Sequence, residues 1–211
     1  MTRVLILFLF VSVSIVQAQN TLNMGISRIP ISTLSAAAGG SQIAAFRGDL
    51  NQLATNPAML DSTLNKQTSI TYLNYMSGIN QATIAYAHLI DSLGLVSGYL
   101  RYLDYGTFTE TDDLGNEIGK FKAADYELGL NISRSLTGHV SYGATFKQYF
   151  SNLYQYSAYG MALDLGIYFQ NDRKLSGAFV IDDIGGMLKN YTNANAGLLV
   201  PQLRVAMNKG L

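Results

Sequence analysis

The side chains equipped for chemistry are few. His88 and His139 are the only histidines; they fall in separate β-type segments, and His88 sits in a run of Ala85, Tyr86, Ala87 and Leu89 with no acid beside it. A general base or a metal-bound imidazole needs an orienting partner, so both histidines read as structural. The chain has no Cys, which removes disulfides, thiolate metal sites and cysteine nucleophiles together. No Gly-x-Ser-x-Gly, His-Glu-x-x-His or Gly-x-x-x-x-Gly-Lys motif occurs. The one gathering of oxygen ligands is Asp112, Asp113, Asn116 and Glu117 around Gly115. It could hold Ca²⁺, but it misses the EF-hand spacing and reads as an acidic turn. These residues point to no enzyme, no cofactor and no resident metal. With 14 basic and 14 acidic residues the net charge is zero, which gives no support to a nucleic-acid partner.

The elements that must position any site begin after an export signal. Arg3 precedes an apolar run from Val4 to Val16, broken by Ser12 and Ser14, and Val16-Gln17-Ala18 supplies small residues at cleavage spacing. Residues 1–18 therefore read as a secretory signal peptide, with Gln19 opening the mature chain. The run is shorter than the roughly 20 residues that a membrane-spanning helix needs. Beyond it no second long apolar run occurs, although 48% of the residues are hydrophobic and only 13% are charged.

The apolar pattern after residue 66 has period two. Tyr126, Leu128, Leu130 and Ile132 alternate with Asp125, Glu127, Gly129, Asn131 and Ser133. Tyr159, Met161, Leu163, Leu165, Ile167 and Phe169 alternate with Gly160, Ala162, Asp164, Gly166, Tyr168 and Gln170. Strands are expected near 67–76, 81–90, 93–103, 121–134, 138–150, 154–170, 173–182 and 200–208, with longer connections at 104–120 and 183–199. One face is oily and the other small and polar. A soluble sandwich reverses this, with charge outside and interlocking aliphatics inside. The expectation is an antiparallel transmembrane β-barrel at residues 67–211, in contact with outer-membrane lipid. Short turns lie at one end and longer loops at the other. Tyr72, Tyr75, Tyr99, Tyr102, Tyr142, Tyr149, Tyr154 and Tyr156 are the expected interfacial girdles. Asp125, Glu127, Asn131, Asp164 and Gln170 are expected to face the lumen. Phe108, Asp112, Asp113, Asn190, Tyr191 and Asn193 are loop candidates for partner contact.

Residues 19–66 then precede the wall and need a place. Ala36, Ala37, Ala38, Gly39, Gly40, Ala44 and Ala45 are small enough to thread a narrow lumen, with Gly39 and Gly40 expected at a tight backbone contact. Pro57 forces Asn56 out of the helical region and ends the short pattern of Leu50, Leu53 and Ala54. The segment reads as a plug whose structural motif is Gly39, Gly40, Asp49, Asn56, Pro57 and Ala58.

These residues carry a resemblance. An Ala-rich Gly39-Gly40 step, Asp49, then Asn56-Pro57-Ala58-Met59-Leu60 resembles the N-terminal signature of the FadL-like outer-membrane barrels. Within that family it is similar to the PorV and PorQ proteins of the type IX secretion system, the PorQ group more closely. Phe179 to Gly186 and Pro201 to Leu211 resemble later strands of that group. The chain departs from it in lacking an Arg after Ser35-Ala36 and in carrying Asp183 where Asn is usual. The resemblance implies about fourteen strands, of which about eight are legible here, so the sequence reads as a fragment; a complete eight-stranded barrel would leave too narrow a lumen for a plug. It also implies one of two non-enzymatic roles. The first is an outer-membrane platform for the type IX machinery that attaches cargo to the cell surface, with other components of that system as partners. The second is a FadL-like channel for hydrophobic solutes such as long-chain fatty acids. A soluble periplasmic β-protein is a third reading.

Overall fold

The computed structural model of the protein describes residues 25–31, 33–37, 39, 40, 42–45, 48–191 and 197–209. The signal peptide read at 1–18, Ala38 and Asn193 lie outside the described residues. The fold is all-β. Eight antiparallel strands form one sheet in sequence order: β1 Thr68–Asn74, β2 Asn80–Ile90, β3 Gly94–Thr111, β4 Glu117–Ser135, β5 Val140–Leu153, β6 Tyr156–Gln170, β7 Leu175–Lys189 and β8 Gln202–Lys209. The sheet is not closed. Among the described residues β1 pairs only with β2, and β8 only with β7. No helix among the described residues is long and apolar enough to cross a membrane.

Two stretches expected as long loops, 104–120 and 183–199, are strand in part. β3 continues to Thr111 because a bulge absorbs Tyr105 and Gly106 opposite Ala123, after which Phe108 pairs with Phe121. Gly106 adopts φ 85°, and its N–H donates to Asp104 Oδ1 at 2.9 Å. β7 runs on to Lys189 through a second bulge, where Asp182 and Asp183 oppose Asp164. Asp183 takes the left-handed φ of 57°. A bulge inserts one residue without ending the ladder, so Asp104 to Gly106 and Asp183, which open stretches expected as loops, lie inside strands.

Alternation separates the two faces of the sheet as expected. Leu163, Leu165 and Ile167 are exposed on one face, whereas Asp164 and Gly166 are buried on the other. Asp125, Glu127 and Asn131 are also buried there, and Gln170 is half-buried at the rim. Tyr99 and Tyr149, expected in a girdle, belong to this inner face and are buried. Their parity along β3 and β5 matches Arg101 and Lys147, not Tyr102 and Phe150.

The N-terminal segment packs on the inner face. It comprises a short helix, α1 (Thr33–Ala37), and four 3-10 turns at Gly25–Arg28, Leu50–Ala54, Pro57–Met59 and Ser62–Leu64. Ile31, Leu50, Leu53, Leu60 and Leu64 pack on Ala85, Ala87, Leu95 and Tyr99. Ile26 packs with Leu103, Tyr149 and Met187, and Ile43, Ala58 and Met59 with Tyr168 and Val180. Both edge strands reach one turn of the segment: Ser69 of β1 donates to Asn51 Oδ1 at 2.9 Å, and Arg204 of β8 donates to Thr55 O at 2.7 Å. The sheet therefore curls around the segment.

Candidate functional site

Beside its apolar clusters the inner face carries polar side chains, and the segment on it is irregular. A chain without a ladder leaves carbonyl groups unpaired, and burying them unsatisfied costs about 1–3 kcal/mol each. Side-chain donors from the sheet meet these groups one by one. Ser176 donates to Ala44 O and Ser133 to Leu60 O, both at 2.8 Å. Asn131 Nδ2 donates to Thr145 Oγ1 at 2.8 Å and, at 3.4 Å, to Pro57 O. Arg101 Nη1 donates to Ile26 O and, at 3.2 Å, to Ile29 O.

Charges on the same face pair within the wall. Lys147 Nζ meets Asp164 Oδ2 at 2.5 Å and Asp183 Oδ1 at 3.5 Å. Tyr149 donates to that Asp183 oxygen at 2.8 Å, and the Asp183 N–H donates to Asp164 Oδ1 at 2.9 Å. Arg204 Nε meets Asp182 Oδ2 at 2.5 Å, and Arg101 faces Glu127 Oε2 at 3.5 Å. The β7 bulge is what brings Asp182 and Asp183 together on this face. Sequence reasoning singled out Asp164 and Glu127 but missed Arg101, Lys147 and Arg204. Strand parity, carried from β6 through each hairpin, was the signal that could have found them.

The Asn56-Pro57-Ala58 motif sits at the centre of the contact. Asn56 is extended, at φ −149° and ψ 109°. Its Oδ1 accepts from Ala58 N at 2.9 Å and its Nδ2 donates to Ile43 O at 2.7 Å. Asp49 caps the Leu50–Ala54 turn by accepting from Asn51 N at 2.9 Å. The expected close approach at Gly39 and Gly40 is not found. A Cβ on Gly39 would meet nothing within 4 Å, and one on Gly40 would lie 3.8 Å from Pro30 Cγ. These glycines serve the backbone, with φ of 93° and 85°. The close approach lies in the sheet instead: a Cβ on Gly166 would press on Asn56 and stand 3.0 Å from the Pro57 ring, and one on Gly143 would collide with the Pro57 carbonyl. Gly166 therefore has no room for a larger side chain.

This seat makes a prediction. Gly143→Ala should destabilise the fold by about 1–3 kcal/mol through overpacking. Gly98→Ala, whose Cβ would meet Leu130 Cδ2 at an ordinary 3.4 Å, serves as the control. Denaturant titration measures both, and equal midpoints would show that the Pro57 seat is loose.

The outer face carries a second pattern. Cross-strand register aligns Tyr72, Ala82, Tyr102, Tyr126, Phe150 and Tyr159 in one row over six strands. The Tyr102–Tyr126 and Phe150–Tyr159 rings approach to 5.0 and 4.7 Å. One row further towards the β3–β4 turn stand Asn74, Asn80, Asp104, Ala124, Asn152 and Ser157. On the other side the rows are mainly apolar, with Ile70, Ile84, Leu100, Leu128, Gln148 and Met161 followed by Thr68, Tyr86, Gly98, Leu130, Phe146 and Leu163. Arg134, Tyr142, Ile167, Phe179 and Val205 align near the opposite end.

No protein-family model matches this chain, and no curated protein does. The geometry stands by itself. In the acidic turn the Asp112 carboxylate binds its own backbone and neighbour: Oδ1 accepts from Leu114 N at 2.9 Å and Asn116 N at 2.8 Å, and Oδ2 accepts from the Asn116 amide. Those bonds, the Asn116 side chain foremost, hold the Asp112 carboxyl below the usual carboxylate range. Among the described residues no group of three or more His, Asp or Glu side chains is placed to hold a metal ion. Of the loop candidates, Phe108 belongs to β3 and stacks on Phe121 at 5.3 Å, and Tyr191 OH donates to Ser151 at 2.5 Å. A polar cavity of about 530 Å³ remains between segment and sheet, lined by Arg101, Lys147, Arg204, Asp182 and Asp183. A smaller apolar one of about 280 Å³ lies among Tyr105, Phe108, Ala123, Leu153 and Met187.

Proposed function

We propose that the chain forms wall and plug of an outer-membrane β-barrel that works as a platform, and that the platform serves the cell-surface attachment machinery of the type IX secretion system. The observation that carries the membrane part is the bounded apolar band on the outer face. From Tyr159 to Phe169 on β6, ten residue steps of about 3.4 Å, tilted by about 40°, rise roughly 25 Å, the height of a barrel's lipid-facing band. Two polar residues stand within the band: Gln148 in the row next to the aromatic row, and His88 in the row of Val96, Ile132, Ala144 and Leu165. Lipid leaves no backbone group unpaired, so the reading entails that β1 and β8 each meet a neighbouring strand in the membrane.

The polar groups of the inner face support a platform over a conduit. A hydrophobic solute needs a continuous apolar route with a few placed polar groups. Here the space beside the segment is lined by three cations and two carboxylates, and the sheet's donors are used to hold the segment. The smaller apolar pocket is what favours the alternative, a FadL-like channel, and it ends on Asp125. The type IX assignment rests on the sequence resemblance alone.

Deleting the gene should leave type IX cargo unprocessed or unattached while uptake of long-chain fatty acids stays normal. Normal cargo display with reduced uptake would transfer the assignment to the channel. Independently, Cys at fully buried Ala58 should resist a large thiol reagent applied to intact cells. Rapid labelling there would exclude a plug.

A further inference from the structure

Several positions of the outer band carry no side chain, Gly98 and Gly177 among them, and at Gly186 a groove opens. In the row Leu128, Gln148, Met161, Gly186 and Leu198, the glycine alone has no side chain. A Cβ there would crowd Gly197 O at 3.2 Å, because Gly197 to Leu199 runs along β7, with Met187 N donating to Gly197 O at 2.8 Å. The result is a groove of about 400 Å³ on the outer face, lined by Phe146, Met161, Leu163, Ile184, Leu188 and Leu198. Among the described residues no charged side chain lines it.

A cation stands just beyond its end. Lys189 follows Leu188 and pairs with Tyr159, which places it level with the aromatic row. It is exposed, its Nζ donates to Ser157 Oγ at 2.6 Å, and it makes no ion pair among the described residues. An apolar groove running into a band of interfacial aromatics and ending on an ammonium group has the order of parts of a lipid: chain, interface, headgroup.

Building on the membrane reading, we infer that this groove holds one acyl chain of an anionic glycerophospholipid whose phosphate meets Lys189. The groove supplies contact along the chain, since a hole in the wall would otherwise forfeit packing. The lysine supplies the preference for a negative headgroup.

The chain refolded into vesicles of equal phosphatidylglycerol and phosphatidylcholine, released in mild detergent and weighed by native mass spectrometry, tests this. One phosphatidylglycerol should be retained per chain. Lys189→Gln should lower that retention about fivefold, the worth of one lysine near an anionic surface, and leave phosphatidylcholine unchanged. Leu198→Trp, filling the groove from an exposed position, should lower retention of both. Equal retention of the two lipids by the original chain, or no response to Lys189→Gln, would overturn the inference. So would displacement of phosphatidylglycerol by lipid A in an added competition arm. Insertion without retained lipid defeats this inference alone, whereas a chain that does not insert defeats the membrane reading with it.

Discussion

Lys147→Met is expected to cost about 3–5 kcal/mol, the penalty for leaving buried charge without its partner. Lys147 is 3% exposed and is the cation shared by Asp164 and Asp183. With the ammonium gone, Asp164 keeps the Asp183 N–H and Asp183 keeps Tyr149, but among the described residues no other cation pairs with either carboxylate. Asp183 cannot swing away cheaply, because the bulge fixes its backbone at φ 57°. The double variant Lys147→Met, Asp164→Leu should recover part of the loss, since removing both members of a buried pair is milder than removing one. The chain has no Trp, so urea unfolding is followed by circular dichroism. A single-variant loss under about 1 kcal/mol would mean that the network is hydrated and screened, as surface pairs are.

That network also marks where the sequence stopped being legible. The strands around Leu128 and Leu165 declare themselves because strict alternation over ten or more residues fits the pleat of a strand and the turn of no helix. Alternation cannot announce a bulge. Asp104 and Gly106, and later Asp182 and Asp183, carry the residue types of turns, and only the partner strand shows that the ladder continues past them. Tyrosines raised a different difficulty. Their type suits an interface, but Tyr99 and Tyr149 differ from Tyr102 and Phe150 only in parity, and parity sends their hydroxyls to Glu127 and Asp183.

The N-terminal motif was half legible for a related reason. Asn56 followed by Pro57 fixes its own geometry through a cap and a restricted φ, both local effects. The partners of that geometry are Gly143 and Gly166, which lie far along the chain and matter because of what they lack. Gly39 and Gly40 attract attention as a pair, yet their requirement is conformational and asks nothing of the sheet. A small residue needed by its own backbone and one needed by a distant backbone look identical in a sequence.

Leu165→Arg should destabilise the protein in lipid vesicles by about 2–4 kcal/mol, as a cation does near the midplane of a barrel's outer face. Leu165 is 41% exposed, lies between Ala144 and Ile181 in the register, and stands about midway along the Tyr159 to Phe169 band. In water such a position is tolerant, because an Arg on an exposed strand face reaches solvent at once and changes stability within about 0.5 kcal/mol. The control is Asn152→Arg, on the same face but one row outside the aromatic row, where the cost should fall to about 0–1 kcal/mol. Depth dependence is the quantity that separates the two environments, since the substitution and the sheet face are held constant. A soluble sheet would tolerate both variants alike and would keep both folded without detergent. A membrane wall would reject the first and accept the second, because the cost comes from the lipid around position 165 and not from any contact that Leu165 makes within the protein.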